Sequence, residues 1–164
     1  MGNRDALPAF IGIGSNLGDA EAYVARAWDE LGRLPRTRLA ARSSLYRSAP
    51  LYYTEQADFV NAVARLDTSL PALDLLDALL SIERRCGRQR RRPNGPRTLD
   101  LDLLLYGQQV ITHGRLTVPH PGLAVRRFAL EPLLELDPDC VIPGVGAAAD
   151  CLERCLDQPL KKIA

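Results

Sequence analysis

Leu99-Asp100-Leu101-Asp102-Leu103-Leu104-Leu105-Tyr106 is the stretch from which both the fold and the chemistry can be read. Residues two apart on a β-strand share a face. Leu99, Leu101, Leu103 and Leu105 are therefore expected to point together into a core, with Asp100 and Asp102 side by side on the opposite face. Strand geometry sets the two aspartate Cα atoms about 6.6–6.8 Å apart. Paired catalytic magnesium ions lie about 3.5–4 Å apart, bridged by carboxylate and phosphate oxygens. Two neighbouring strand carboxylates can reach such a pair when a nucleotide's phosphates supply the remaining ligands. The competing reading is an amphipathic strand with a solvated acidic face, on which two bare like charges repel mildly.

Working outward, residues 9–14 read as a short buried strand ending in glycine. Asp19 opens a helix in which Val24, Ala27, Trp28, Leu31 and Leu34 follow the three-four spacing of one face, and Pro35 ends it. Residues 38–46 alternate loosely as a second strand, broken at Ser48-Ala49-Pro50, and 59–66 form an apolar third. Ser69 and Pro71 mark the start of a second helix buried through Leu75, Leu79, Ile82 and Cys86. After the strand at 99–106, Gly107-Gln108 turns into a short strand at 110–112. A proline-flanked loop, Pro119-His120-Pro121-Gly122, leads to helices at 127–136 and 147–156. The order is that of the ferredoxin-like βαββαβ unit. The expectation is an α+β fold in one domain over residues 1–164: an antiparallel sheet, helices on one side, and extra C-terminal helices.

Composition excludes several chemistries. A chain of 164 residues, 46% apolar, 25% charged and with net charge +1, has the profile of an ordinary soluble globular protein with no global pull on nucleic acid or membrane. Lys161 and Lys162 are the only lysines, so 19 of the 21 basic residues are arginine. A P-loop and a protein kinase each need a lysine that this chain lacks. Cys86, Cys140, Cys151 and Cys155 form no C-x-x-C pair and read as reduced thiols. Gly12-Ile13-Gly14-Ser15-Asn16-Leu17-Gly18 misses the dinucleotide fingerprint, because its third glycine comes one residue late. No targeting segment or membrane-length apolar run is visible, which points to the cytoplasm.

Just before the aspartates, residues 84–97 hold seven arginines. Charge runs usually form solvated faces, but guanidinium groups bind phosphate bidentately and keep their charge. An arginine loop beside a metal-triphosphate would neutralise charge and exclude water. A nucleic-acid-binding module is the alternative from another class. No aromatic residue interleaves the run for base stacking. His120, between two prolines, is either structural or a fixed polar contact.

These blocks together resemble the 6-hydroxymethyl-7,8-dihydropterin pyrophosphokinase family. The likeness rests on Ile13-Gly14-Ser15-Asn16-Leu17-Gly18, Ser44-Leu45-Tyr46-Arg47-Ser48-Ala49-Pro50 and Phe59-Val60-Asn61-Ala62. Above all it rests on Gly95-Pro96-Arg97-Thr98-Leu99-Asp100-Leu101-Asp102 and Leu116-Thr117-Val118-Pro119-His120-Pro121. The resemblance implies transfer of pyrophosphate from ATP to the pterin alcohol, giving AMP, with Asp100 and Asp102 holding two Mg2+ ions. It implies that Arg88, Arg97, His120 and Arg126 contact the phosphates, with Arg90 joining them from the arginine loop. Arg88 and Arg97 would count with the two aspartates as catalytic. Glu83, Leu103, Arg115 and Thr117 would lie at the nucleotide's base and sugar. Phe59 and Phe128 would sandwich the pterin, Asn61 would bond its polar edge, and backbone around Ser48, Pro50 and Leu51 would complete that recognition. The sequence departs from the family pattern at Asn94, Leu80 and Tyr52-Tyr53.

The implied partners are the two small-molecule substrates, with no nucleic acid and no membrane, acting as a monomer. A pterin- or nucleotide-binding relative without turnover remains the alternative within the same fold. Asp100→Ala or Asp102→Ala is expected nearly to abolish turnover with the fold intact; a variant retaining near wild-type rate in a steady-state assay would remove the metal assignment.

Overall fold

The structure, a computed structural model, describes residues 6–16, 18–49, 58–87 and 99–164. Pro50, Leu51, Tyr52, Tyr53, Arg88, Arg90, Asn94 and Arg97 lie outside the described residues. The chain runs β1 (Leu7–Ser15), α1 (Ala20–Gly32), β2 (Thr37–Arg42), β3 (Tyr46–Ser48), β4 (Phe59–Thr68), α2 (Ala72–Arg85) and β5 (Asp100–Tyr106). Two short strands follow, β6 (Ile111–His113) and β7 (Leu116–Val118), then a 3-10 turn at Leu123–Val125 and α3 (Arg127–Leu136). The chain closes with β8 (Val141–Ile142), β9 (Gly146–Ala147), α4 (Ala148–Glu153) and β10 (Leu160–Lys162).

The main sheet is ordered β10-β3-β4-β1-β5, with β2 also paired to β4, and each of its pairings is antiparallel. With β2 and β3 counted as one interrupted strand, this is the ferredoxin-like α+β arrangement. Alternation assigns the two faces. Ala9, Ile11 and Ile13 of β1, Ala62, Ala64 and Leu66 of β4, and Leu101 and Leu103 of β5 pack in one core with α1 and α2. Trp28 belongs to that core, and the side chain of Asp19 caps α1 by accepting from the Ala22 amide at 3.2 Å. The opposite face packs Phe10, Val63, Leu104 and Leu105 against Leu123, Ala129, Leu130 and Leu133. The helices are thus divided: α1 and α2 on one side, α3 and α4 with the second core.

Leu105 departs from the expected alternation. A β-bulge lies where β5 passes from Leu103, opposite Ile11, to Leu105, opposite Phe10. One extra residue reverses the facing of everything beyond it. Leu104 and Leu105 therefore both reach the second core, while Tyr106 returns to the first and donates its hydroxyl to the Leu70 carbonyl at 2.5 Å.

The second strand is also interrupted earlier than its pattern suggested, between Arg42 and Tyr46. Ser43 still holds Val63, its amide donating to the Val63 carbonyl at 2.9 Å and its Oγ accepting from the Val63 amide at 2.8 Å. The Ser44 amide turns away to Glu135 of α3, at 3.0 and 3.1 Å from the two carboxylate oxygens. Glu135 also accepts from Ser44 Oγ at 2.9 Å and from the Tyr46 hydroxyl at 2.7 Å. β10 has no sequence signal strong enough to announce it, yet it pairs with β3 in the register Leu160↔Ser48 to Lys162↔Tyr46.

Burial pushes the Glu135 carboxyl up, but the bonds from Tyr46 and Ser44 outweigh it and hold its pKa below the ordinary value. A lowered carboxylate pKa contributes stability above the unfolded-state value, about 4.3, and loses it as pH falls through the folded-state value. Glu135→Gln is expected to cost about 1 kcal/mol or less at neutral pH, because the residue is exposed. Denaturation midpoints should show that difference shrinking in acid, where the wild-type carboxyl is itself neutral; a cost that stays constant with pH would rule out a charge-based network.

Candidate active site

Two cavities meet at the aspartates. In the β1–β5 register Asp100 stands opposite Gly14 and Asp102 opposite Gly12. Both pairs share the face of Phe10, but α3 covers only the Phe10 end. The uncovered end forms the first cavity, lined by Gly12, Gly14, Ser48, Phe59, Asn61, Asp100, Asp102, Arg126 and Phe128. The second runs along the outer edge of β5 and is lined by Leu76, Leu80, Glu83, Asp100, Asp102, Leu103, Arg115, Thr117 and His120. Asp100 and Asp102 are common to both walls.

The first cavity combines apolar walls with one oriented amide. Asn61 is buried on β4, where its Nδ2 donates to Ser48 Oγ at 2.7 Å. That bond turns Oδ1 toward Gly14, where an added Cβ would sit 3.5 Å from it. Phe59 and Phe128 come from β4 and α3, two elements far apart in sequence. The floor is bare backbone, because Gly12 and Gly14 alternate along β1 in phase with Asp102 and Asp100. The glycines carried this signal in their period of two, which the comparison with a dinucleotide fingerprint passed over.

His120 belongs to the second cavity. Its backbone amide donates to the Leu104 carbonyl at 3.0 Å, and its Nδ1 accepts from the Gly122 amide at 3.0 Å. An imidazole that accepts at Nδ1 and is neutral carries its proton on Nε2. That nitrogen lies 3.9 Å from Asp102 Oδ1. Burial and the charge of Arg126 push the His120 pKa down, and Asp100 opposes them. Gly122 also makes room for Arg126, since a Cβ there would come within 2.5 Å of its guanidinium carbon.

The nucleotide positions implied by the resemblance divide between the cavities. Glu83, Leu103, Arg115, Thr117 and His120 come together along the second. Glu83 is buried, and its Oε2 accepts from the Leu101 amide at 2.7 Å, which fixes the strand between the two aspartates. Arg115 pairs with Asp77 at 2.8 Å. Arg126 lines the first cavity instead, its guanidinium carbon 5.8 Å from the Phe128 ring centre. Among the described residues no cluster of three or more His, Cys, Asp or Glu side chains forms a metal cage. Two carboxylates opening onto a polar cavity fit magnesium, which binds through one or two carboxylates and keeps its other positions for phosphates and water.

The sequence model of the family described as 7,8-dihydro-6-hydroxymethylpterin-pyrophosphokinase (HPPK) matches residues 10–138. The chain is 45% identical over 154 residues to the 2-amino-4-hydroxy-6-hydroxymethyldihydropteridine pyrophosphokinase of Pseudomonas aeruginosa, covering 94% of this chain and 95% of that protein. It is 40% identical over 157 residues to the Haemophilus influenzae protein of the same name, covering 96% and 98%. Among solved structures, an HPPK-DHPS complex with substrates superposes with a TM-score of 0.71 at 11% identity, over 92% of this chain and 43% of that one. Wild-type Plasmodium falciparum HPPK-DHPS gives 0.68 at 13% identity, over 90% and 43%. Those two likenesses concern the fold, and the chain spans less than half of each of these longer polypeptides.

Gly14→Val should keep the fold, since valine suits a strand, while its methyls rise into the first cavity beside Asn61. The expected result is loss of affinity for 6-hydroxymethyl-7,8-dihydropterin, the alcohol that the resemblance implies, with a melting temperature near wild type. Unchanged affinity in a fluorescence titration would mean that the ring binds elsewhere.

Proposed function

The chain belongs to the 7,8-dihydro-6-hydroxymethylpterin-pyrophosphokinase family and transfers pyrophosphate from ATP to 6-hydroxymethyl-7,8-dihydropterin in folate synthesis, and we propose that the transfer takes place where its two cavities meet. The pterin occupies the first cavity and ATP the second. The observation that carries this reading is the shared wall: Asp100 and Asp102 line both spaces. A donor and an acceptor in adjoining cavities, with carboxylates at the junction, are arranged for an in-line displacement.

The flat pterin ring stacks between Phe59 and Phe128, burying apolar faces on both sides. Asn61 Oδ1, turned toward the cavity floor by the Ser48 bond, accepts from the ring's polar N–H edge. Ser48 lies on that edge, and the family resemblance assigns the backbone of Pro50 and Leu51 to the same recognition. On the ATP side the β5 edge at Leu103, with Glu83, Arg115 and Thr117, receives the base and sugar. His120 offers its Nε2–H toward the phosphates. Arg126 reaches them from the first cavity, and the family resemblance assigns Arg88, Arg90 and Arg97 to the phosphates as well.

Asp100 and Asp102 would hold two magnesium ions, and the chemistry those would supply is neutralisation of the triphosphate and polarisation of its oxygens. The pterin's hydroxymethyl oxygen attacks the β-phosphorus. A bond forms between that oxygen and phosphorus, and the bond from the β-phosphorus to the α,β-bridging oxygen breaks. AMP leaves with that oxygen, and the proton of the hydroxymethyl group passes to solvent. The protein's contribution is positioning, charge complementarity and exclusion of water, as in phosphoryl transfer generally.

Separation of the nucleotides after incubation with magnesium, ATP and the pterin alcohol tests the scheme. AMP is expected in step with pterin diphosphate, and none when magnesium is chelated. ADP in place of AMP would mean attack at the γ-phosphorus and would overturn the mechanism. Undiminished turnover without a divalent cation would overturn the assignment of Asp100 and Asp102.

A further inference from the structure

Arg126 and Phe128 flank the first helical residue of α3, and no side chain of their own neighbourhood caps that helix. The first N–H groups of a helix have no partner within it. Here the partner comes from the C-terminal segment. Gln158 Oε1 accepts from the Arg127 amide at 2.9 Å, and Gln158 Nε2 donates to the Val125 carbonyl at 2.8 Å. The two groups belong to the peptide units on either side of Arg126, so one carboxamide holds both planes that set its direction. The same segment is docked independently: Arg127 Nη1 donates to the carbonyls of Leu156 and Gln158, each at 2.9 Å. Two residues beyond Gln158 the chain enters β10, where Leu160 pairs with Ser48 on the opposite wall of the first cavity.

We propose that Gln158 is a positioning residue for the pterin site, a carboxamide clamp through which the C-terminal segment ties the α3 wall to the β3 wall, aiming Phe128 at the bound ring and Arg126 at the phosphates beside it. The clamp rests on the assignment of the pterin to the first cavity. It acts on the wall carrying Phe128 and reaches the nucleotide only through Arg126, not through the β5 edge that receives its base and sugar. Its loss should therefore separate the two substrates. Because the Arg127 bonds to the backbone of residues 156 and 158 remain, removing the carboxamide leaves the segment docked.

The test is a titration of the pterin in the presence of magnesium and saturating α,β-methylene-ATP, with a separate titration of that nucleotide alone. Gln158→Ala is expected to weaken pterin binding about fivefold, the scale of losing one part-buried and one exposed bond to peptide groups. Nucleotide affinity should fall less than pterin affinity, because only the Arg126 contact is disturbed on that side, and the melting temperature should stay near wild type. Gln158→Glu keeps the acceptor for Arg127 and loses the donor to Val125, so it should fall between the two. Lys161→Ala, an exposed change in the same segment, should bind both ligands like wild type. Phe128→Ala, measured alongside, separates the two levels of the claim. Pterin affinity unchanged in Phe128→Ala removes the cavity assignment. A loss in Phe128→Ala with none in Gln158→Ala overturns the clamp alone. Equal losses of both ligands with a lowered melting temperature in Gln158→Ala and Gln158→Glu also overturn it, because a merely structural residue would behave in that way.

Discussion

A strand that carries two adjacent carboxylates on one face can be buried only on the other, and this constraint on β5 shapes the rest of the molecule. Its leucine face, Leu101 and Leu103, enters the core under α1 and α2. Its aspartate face stays open because desolvating two like charges costs far more than any packing there would return. Beyond the bulge the polarity of that face changes, with Leu104 and Leu105 turned toward α3. The helix covers the sheet where the strand is apolar and stops where it becomes acidic. The first cavity is the uncovered remainder, deepened by the missing side chains of Gly12 and Gly14.

The outer edge of β5 poses a second problem, because an edge strand presents unpaired amides and carbonyls. Here that edge is partly satisfied by Glu83 at the Leu101 amide and by the His120 amide at the Leu104 carbonyl. Both residues also line the second cavity. The groups that quiet the edge are thus the ones that shape the second cavity, and the strand is held on either side of the carboxylates it presents. The chemistry then divides by environment: an aromatic, glycine-floored space suits a flat ring, and a polar space along a strand edge suits a nucleotide.

Much of this was legible from local pattern. The alternation of Asp100 and Asp102 with leucines, and the three-four spacing through Trp28 and through Leu79, are periodicities that depend only on neighbouring residues. They sufficed for the element order and the ferredoxin-like topology. The motif blocks around Phe59, Asp100 and His120 pointed to the family. Local pattern failed where a remote partner intervened. The facing of Leu105 depends on a bulge against Phe10 and Ile11, a mismatch between two strands that neither sequence carries alone. The break at Ser43–Leu45 depends on Glu135, some ninety residues away, drawing the Ser44 amide out of the ladder. β10 exists because β3 offers it an edge.

The sequence by itself therefore determined the principal strands and helices, their order, the face on which the two carboxylates stand and the family to which the chain belongs. Each of these follows from spacing along one strand or helix, or from contiguous motifs. Only the tertiary structure decided that the aspartates close two cavities at once, that Arg126 lies against Phe128, and that the C-terminal segment caps α3. Those facts depend on which surfaces meet after the apolar faces are buried. Burial is non-directional and sums over the whole chain, so it is not written at any one position.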